Sequence, residues 1–327
     1  MKNFTRCTLA TLVLSTSVIG ANANAAIVTS WNYLNEAGFI DAVPSEVIES
    51  DFQAQNVLSQ DTHRTLTWGD PEVPADGPSK LTVEEGQGGV IDTVDANTPL
   101  MDSDFKSGTT VTHNNYRVGG ADLLESAILL DGLRLSIASW DLALPVPPDS
   151  SSIEIAIGFE FLETPNRPNG DGTLGGTCVD GSAAGTDIDN VDPNEGFGCD
   201  DYFILQPIPG VTFTFNDGGD LDPSNDYVEF IVGVDLNPLL PAGFAAANNL
   251  QTQYEVVTRL TGLTVTTDYC GSQAVPCVGF ATEELKDNDL FAEFAVRAVP
   301  EPETLAIFGL GLLGLGYSAR RRYSAKH

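Results

Sequence analysis

Carboxylates are the residues of this chain with the clearest capacity for chemistry. Between Asn166 and Asp201, a segment rich in Gly, Asp and Asn carries Asp187, Asp189, Asp192, Glu195, Asp200 and Asp201. Hard oxygen donors at that density suit calcium. Asp187, Asp189, Asp192 and Glu195 are the predicted metal ligands, and calcium is the only cofactor they imply. The spacing departs from an EF-hand, because Val191 takes the fifth position counted from Asp187 and the required glycine is missing. Asp217, Asp220, Asp222 and Asp226 make a second acidic loop with the same departure. Solvated turns account for both loops without an ion. Two histidines stand beside β-patterned runs, His63 at the start of one and His113 at the end of another. If those strands pair, both imidazoles reach one metal or one sugar hydroxyl, though two histidines without a third ligand make a poor metal site. The alternative is that His113 and Asn115 hydrogen-bond backbone at a strand corner.

Other chemistries find less support. The chain has no Gly-x-Ser-x-Gly elbow, no His-Glu-x-x-His helix and no phosphate-cradling glycine loop. A glycosidase pair is defined by spatial separation, which spacing along the chain does not supply. No catalytic residue is assigned, and the chain reads as a non-enzyme.

Four cysteines follow Cys7, namely Cys178, Cys199, Cys270 and Cys277. An even number in an exported body implies disulfides rather than zinc, since no Cys-x-x-Cys occurs and neither His63 nor His113 is nearby in sequence. Proximity suggests Cys178–Cys199 and Cys270–Cys277, one of three connectivities. Loops of about 22 and 8 residues would contribute roughly 3.4 and 2.5 kcal/mol in the chain-entropy account.

The elements that must position these groups read as strands. Ile153, Ile155, Ile157, Phe159 and Phe161 alternate with Glu154, Ala156, Gly158 and Glu160, a period of two. Val228, Phe230, Val232 and Val234 repeat that pattern, as do Val211, Phe213 and Phe215. Further strands are expected at 64–68, 109–114, 127–137, 253–257, 262–267 and 291–296, with Gly, Pro, Asn and Asp between them. One helix is expected over 44–58, with Ser45 as its N-cap. The fold class is therefore all-β, a single jelly-roll-like β-sandwich domain over residues 26–298.

Both ends carry export signals. Lys2 and Arg6 precede an apolar run from Thr8 to Gly20, and two small-x-small cleavage sites follow within Ala21–Ala25. Residues 1–25 are thus a cleaved signal peptide. At the other end, residues 299–327 hold Val299-Pro300-Glu301-Pro302, an apolar helix over 304–319 and the cluster Arg320-Arg321-Arg322. The apolar stretch of about 16 residues is short for a permanent span of ~20, so it fits a transient membrane stop. The arginines hold the extreme C-terminus on the cytoplasmic side and leave the body outside. Removing both signals takes away six of the 15 Lys and Arg but only two of the 46 Asp and Glu, leaving a net charge of about −35. Such a body has no basic footprint for nucleic acid. Its acidity favours solubility and suits bound divalent cations or a saline habitat.

The tail resembles a PEP-CTERM sorting signal, with Pro300-Glu301-Pro302, apolar helix and arginine cluster in order. The resemblance implies recognition by an exosortase, a membrane-embedded cysteine transpeptidase of Gram-negative bacteria that often make extracellular polysaccharide. It also implies a cut near Pro300-Glu301-Pro302 and delivery of the body to the surface, or its release. A narrower resemblance covers nearly the whole body. Thr112-His113-Asn114-Asn115 fits the Thr-His-x-Asn signature of the THxN family of PEP-CTERM proteins. Trp31-Asn32-Tyr33, residues 66–69, 163–166, 199–203 and 279–283 are similar to that family as well. It brings no established activity.

Three readings follow. The first is a structural or adhesive protein of the cell surface or polysaccharide matrix. The second is a calcium-assisted carbohydrate-binding module, which needs Tyr33, Trp68, Tyr116 and Trp140 on one open face. The third, a secreted hydrolase, needs convergent carboxylates of split pKa.

Overall fold

The structure is a computed structural model. It describes residues 25–71, 77–84, 86–95, 97–120, 122–147, 150–164, 199–217, 226–267, 270–273 and 277–299. Its strands are β1 (Val28–Val43), β2 (Ile48–Gln53), β3 (Thr62–Trp68), β4 (Asp70–Pro71), β5 (Ser79–Val83), β6 (Gln87–Val94), β7 (Lys106–Asn114), β8 (Val118–Gly119) and β9 (Ser126–Trp140). They continue as β10 (Ser150–Leu162), β11 (Asp201–Leu205), β12 (Thr214–Asp217), β13 (Asp226–Asp235), β14 (Gln253–Thr261), β15 (Thr264–Thr266), β16 (Val278–Thr282) and β17 (Asp287–Ala298). The one described α-helix is a single turn at Phe244–Asn248. The molecule is all-β and sandwich-like.

One hydrogen-bonded path runs β12-β13-β14-β17-β7-β5-β3-β1-β9-β10-β11-β16-β15. It curls back on itself, because Val228, Phe230 and Leu260 from its first arm share a core with Phe159, Phe203 and Phe280 from its last. Alternation builds that core. In β10, Ile157, Phe159 and Phe161 turn inward while Glu154 and Glu160 turn out. The central gap between β1 and β17 is closed differently at its two ends. β6 bridges them near Val296, whereas β3, β5 and β7 fill the space toward His113.

The expected strands at 64–68, 109–114, 127–137, 153–161, 228–234, 253–257, 262–267 and 291–296 all overlap strands of the structure. Of the Val211–Phe215 pattern, only the stretch from Thr214 is strand. The expected helix at 44–58 is replaced by strand β2, which pairs with β3 from Ile48↔Thr67 to Gln53↔Thr62. The physical reason lies in the apolar pattern: Val47, Val57 and Leu58 are buried, while Ile48 and Phe52 stay exposed. A helix there would have no continuous stripe to bury, whereas β3 offers unpaired backbone groups along its edge. Asp51, at φ +56°, lies within that pairing and accepts a bond from Thr65 Oγ1 at 2.7 Å. Ser45 caps nothing, its hydroxyl lying 3.4 Å from Glu46.

Candidate metal centre

Where β7 and β10 end, β11 begins and β16 turns into β17, polar side chains collect inside the sandwich. His113 stacks on Trp68 at 5.4 Å between ring centroids and meets the edges of Phe161 and Phe203. This aromatic box strips the imidazole of water and pulls its pKa down to about 3, so the ring is neutral. Its Nδ1 lies 3.1 Å from Thr282 Oγ1, which in turn donates to Asp201 O at 3.3 Å. The hydroxyl proton being used there, Nδ1 is the donor to Thr282 and Nε2 carries the lone pair. The Asn115 side-chain amide donates to Thr282 O at 3.4 Å, and its backbone N–H donates to Lys286 O at 3.0 Å. Thr112, at the half-exposed edge, donates its hydroxyl to Asp289 at 2.6 Å.

Beside this box stand three carboxylates. Glu163, Asp201 and Glu284 each bring an oxygen within 4.8 Å of the other two. Asp201 and Glu284 are 0% and 4% exposed, and Glu163 is half-buried. The Trp68 indole donates to Glu163 at 3.2 Å, and the Thr164 N–H donates to Asp201 Oδ1 at 2.7 Å. Burial pushes the Asp201 carboxyl up to about 7, against the hydrogen bonds from Thr164 and Asn115 that favour its ionised form. Each ionised pair at such a separation repels by about 3 kcal/mol at an effective dielectric near 20. A bound cation would relieve that repulsion.

The segments with family-like sequence converge here. Trp68, His113 and Asn115, Glu163 and Thr164, Asp201 and Phe203, and Thr282 come from five separate stretches of chain. Glu284 lies just beyond the last of those segments and was not marked by any motif in the sequence. The signal that could have found it is its place next to Thr282 and Glu283, one residue past a family-like run.

Other predicted residues fall elsewhere. His63 and His113 do not meet: β5 lies between β3 and β7, and His63 instead faces Glu49 at 3.5 Å and the ring of Phe52. Cys270 and Cys277 form a disulfide. Cys199 is disulfide-bonded, and its suggested partner Cys178 lies outside the described residues. So do the predicted calcium ligands Asp187, Asp189, Asp192 and Glu195. Of the second acidic loop, Asp226 is buried and accepts the Val265 N–H at 3.1 Å, a structural use. The four aromatics do not share an open face. Trp68 and Trp140 are buried, Tyr33 packs edge-on against Phe294, and Tyr116 packs on the core.

Ala26 and Val299, near the two limits of the described body, lie far from this centre and close to each other. Gln251 receives both: its N–H donates to Ala26 O at 2.7 Å, and its side-chain amide donates to Val299 O at 2.8 Å. Val299 also donates to Gln253 O at 3.1 Å. β17 connects the two regions, starting beside Glu284 and ending at Ala298. Its 12 residues span about 40 Å. The sandwich therefore has a near pole, where Ala26 and Val299 meet on Gln251, and a far pole with the carboxylates.

Residues 298–322 match a family model described as the PEP-CTERM protein-sorting motif. The tail is a PEP-CTERM sorting motif. That motif marks a chain that is exported and passed to an exosortase. It begins at Ala298, the last residue of β17, so no spacer separates the folded body from the signal. Pro300, Glu301, Pro302, the 304–319 stretch and Arg320, Arg321 and Arg322 lie outside the described residues. No curated protein matches the chain.

Proposed function

We propose that this PEP-CTERM protein is a non-catalytic structural or adhesive component of the cell surface or extracellular polysaccharide matrix of a Gram-negative bacterium. Residues 26–298 act as one β-sandwich domain, placed there after exosortase cutting near Pro300-Glu301-Pro302. The observation that carries this reading is the meeting of Ala26 and Val299 on Gln251. Both signals leave from one pole, so a body held at the membrane by its tail turns the opposite pole outward. The Thr112-His113-x-Asn115 signature supports placement in the THxN group of such proteins.

The non-catalytic reading rests on the geometry at His113. A hydroxyl bonded to an imidazole is the elementary form of an activated nucleophile. Here Thr282 and His113 are 0% and 1% exposed, which leaves no room for a substrate at that hydroxyl. A carbohydrate-binding role is the second reading, and the burial of Trp68 and Trp140 takes away the stacking platform it would use.

The test is the intact mass of the protein from a host with and without its exosortase. Loss of the N-terminal ~25 residues and of everything beyond the Pro-Glu-Pro site, only with the enzyme present, is the expected result. Extra mass at the new C-terminus would identify an anchor. A full-length C-terminus in both strains would sink the sorting part of the proposal.

A further inference from the structure

The crowding of Glu163, Asp201 and Glu284 has a second feature beside it. Asn115 is fully buried, its amide bonds to the Asp201 carboxyl, and its Oδ1 accepts no hydrogen bond among the described residues. Asp201 Oδ2 is likewise without a partner. Buried acceptors are ordinarily satisfied, and an unfilled one points to a missing ion or water. Two such acceptors adjoin here, next to carboxylates that repel one another. A cation resolves both problems at once, whereas a water satisfies the acceptors and leaves the repulsion.

We infer that Glu163, Asp201, Glu284 and Asn115 Oδ1 form a binding site for a calcium-type divalent cation at the far pole of the sandwich. All the donors are oxygens. No histidine nitrogen or cysteine sulfur joins the group among the described residues, which favours a hard ion over zinc. His113 serves the site from behind: it fixes Thr282, whose carbonyl holds Asn115. Glu163, half-buried, is the solvent-side ligand and the path of entry. The ion ties the end of β10 to the start of β11, the turn after β16 and the chain just past β7. It thus fastens these strand ends to one another. None of its four ligands is among Asp187, Asp189, Asp192 and Glu195.

Terbium, a luminescent stand-in for calcium, tests the site in the full chain after chelator treatment. Trp68, bonded to Glu163, is expected to sensitise terbium emission, and calcium to displace it. Trp68→Phe removes most of that emission. Trp140→Phe leaves it, since Trp140 packs at the other end of the molecule against Phe244. Calcium also raises the melting temperature of the wild type. The double variant Asp201→Asn with Glu284→Gln loses both responses, yet melts above the wild type in chelator because its buried like charges are gone. Should that variant not fold, Glu163→Gln at the half-exposed ligand lowers the affinity by at least about tenfold. Absence of sensitised emission overturns the site. So does emission that survives the ligand variants, or that disappears instead on changing Asp187, Asp189 and Asp192 to Asn.

Discussion

Asn35 illustrates how much a single buried amide can hold. It sits in the middle of β1, donates to Asp131 Oδ1 at 2.8 Å and Gly132 O at 3.1 Å, and accepts the Thr109 N–H at 2.7 Å. β1 and β9 pair directly, but β7 is not their neighbour in this part of the sheet, so the amide fastens across the sandwich. Asn35→Ala strands a buried N–H, a carbonyl and a carboxylate together, and should cost about 2–4 kcal/mol in urea unfolding. A loss under about 0.5 kcal/mol, the range of an ordinary surface change, would refute the role. The same contact sets a pH dependence. Burial pushes the Asp131 carboxyl up to about 6, and the Asn35 hydrogen bond opposes the rise. Because the folded pKa exceeds the ordinary value of 3.8, this group's contribution is full below about pH 4 and is lost as pH rises through about 6. Stability curves for the wild type and Asp131→Asn should therefore diverge over that window, with the wild type falling more. Partial solvent contact of Asp131 limits the difference to about 2 kcal/mol.

At the scale of elements, the turn after β3 decides where Trp68 points. Gly69 has φ +76°, and a Cβ there would lie 2.5 Å from Val118 Cβ. Two penalties therefore add at this position, the left-handed backbone and the close approach of β8. Gly210, at φ +80° with open space around it, carries the first penalty alone. Gly69→Ala should cost clearly more than Gly210→Ala, by about 1–3 kcal/mol against about 1 kcal/mol. Equal unfolding midpoints would mean that β8 yields. The Trp68 indole bonds Glu163, so Gly69→Ala should also shift tryptophan fluorescence, while Gly210→Ala leaves it in place. Strand β2 teaches the converse lesson about local signals. Ser45, Glu46 and Val47 begin like a helix, but a free edge on β3 outcompetes a helix that has no apolar stripe to bury.

Across the whole molecule, charge and chain direction dominate. The full chain carries a net charge of −31, and residues 26–298 taken alone are more negative still. Self-repulsion of that size opposes the compact state and is screened by salt, whose Debye length falls from about 10 Å at 0.1 M to about 3 Å at 1 M. The melting temperature should rise steadily with sodium chloride over that range. A flat or falling response would mean that attractive ion pairs, such as Arg259 with Glu229 at 3.0 Å, outweigh the general repulsion. The match to the sorting motif starts where β17 stops, beside Gln251, on which Ala26 and Val299 meet.

The C-terminal sorting motif, the all-β class and most of the strands were legible in the sequence, because each rests on local order. A greasy run, a basic cluster or a period of two needs no distant partner to be read. The strands β1, β5, β6, β11 and β16 carried weaker patterns and emerge as strands through their neighbours, as in β1, where Asn32, Asn35 and Glu36 interrupt the apolar residues. The candidate centre was legible only in fragments. Thr112-His113-x-Asn115 stood out, but the spacing of His63 and His113 suggested a pairing that β5 prevents. The acidic loop drew attention by its density, whereas the carboxylates that meet are Glu163, Asp201 and Glu284, up to 121 positions apart in the numbering. Composition along the chain determined where this protein is sent and what kind of fold it takes. Only the closing of the sheet on itself decided which charges share a buried space, since burial and distance are properties of the packed strands and not of their order.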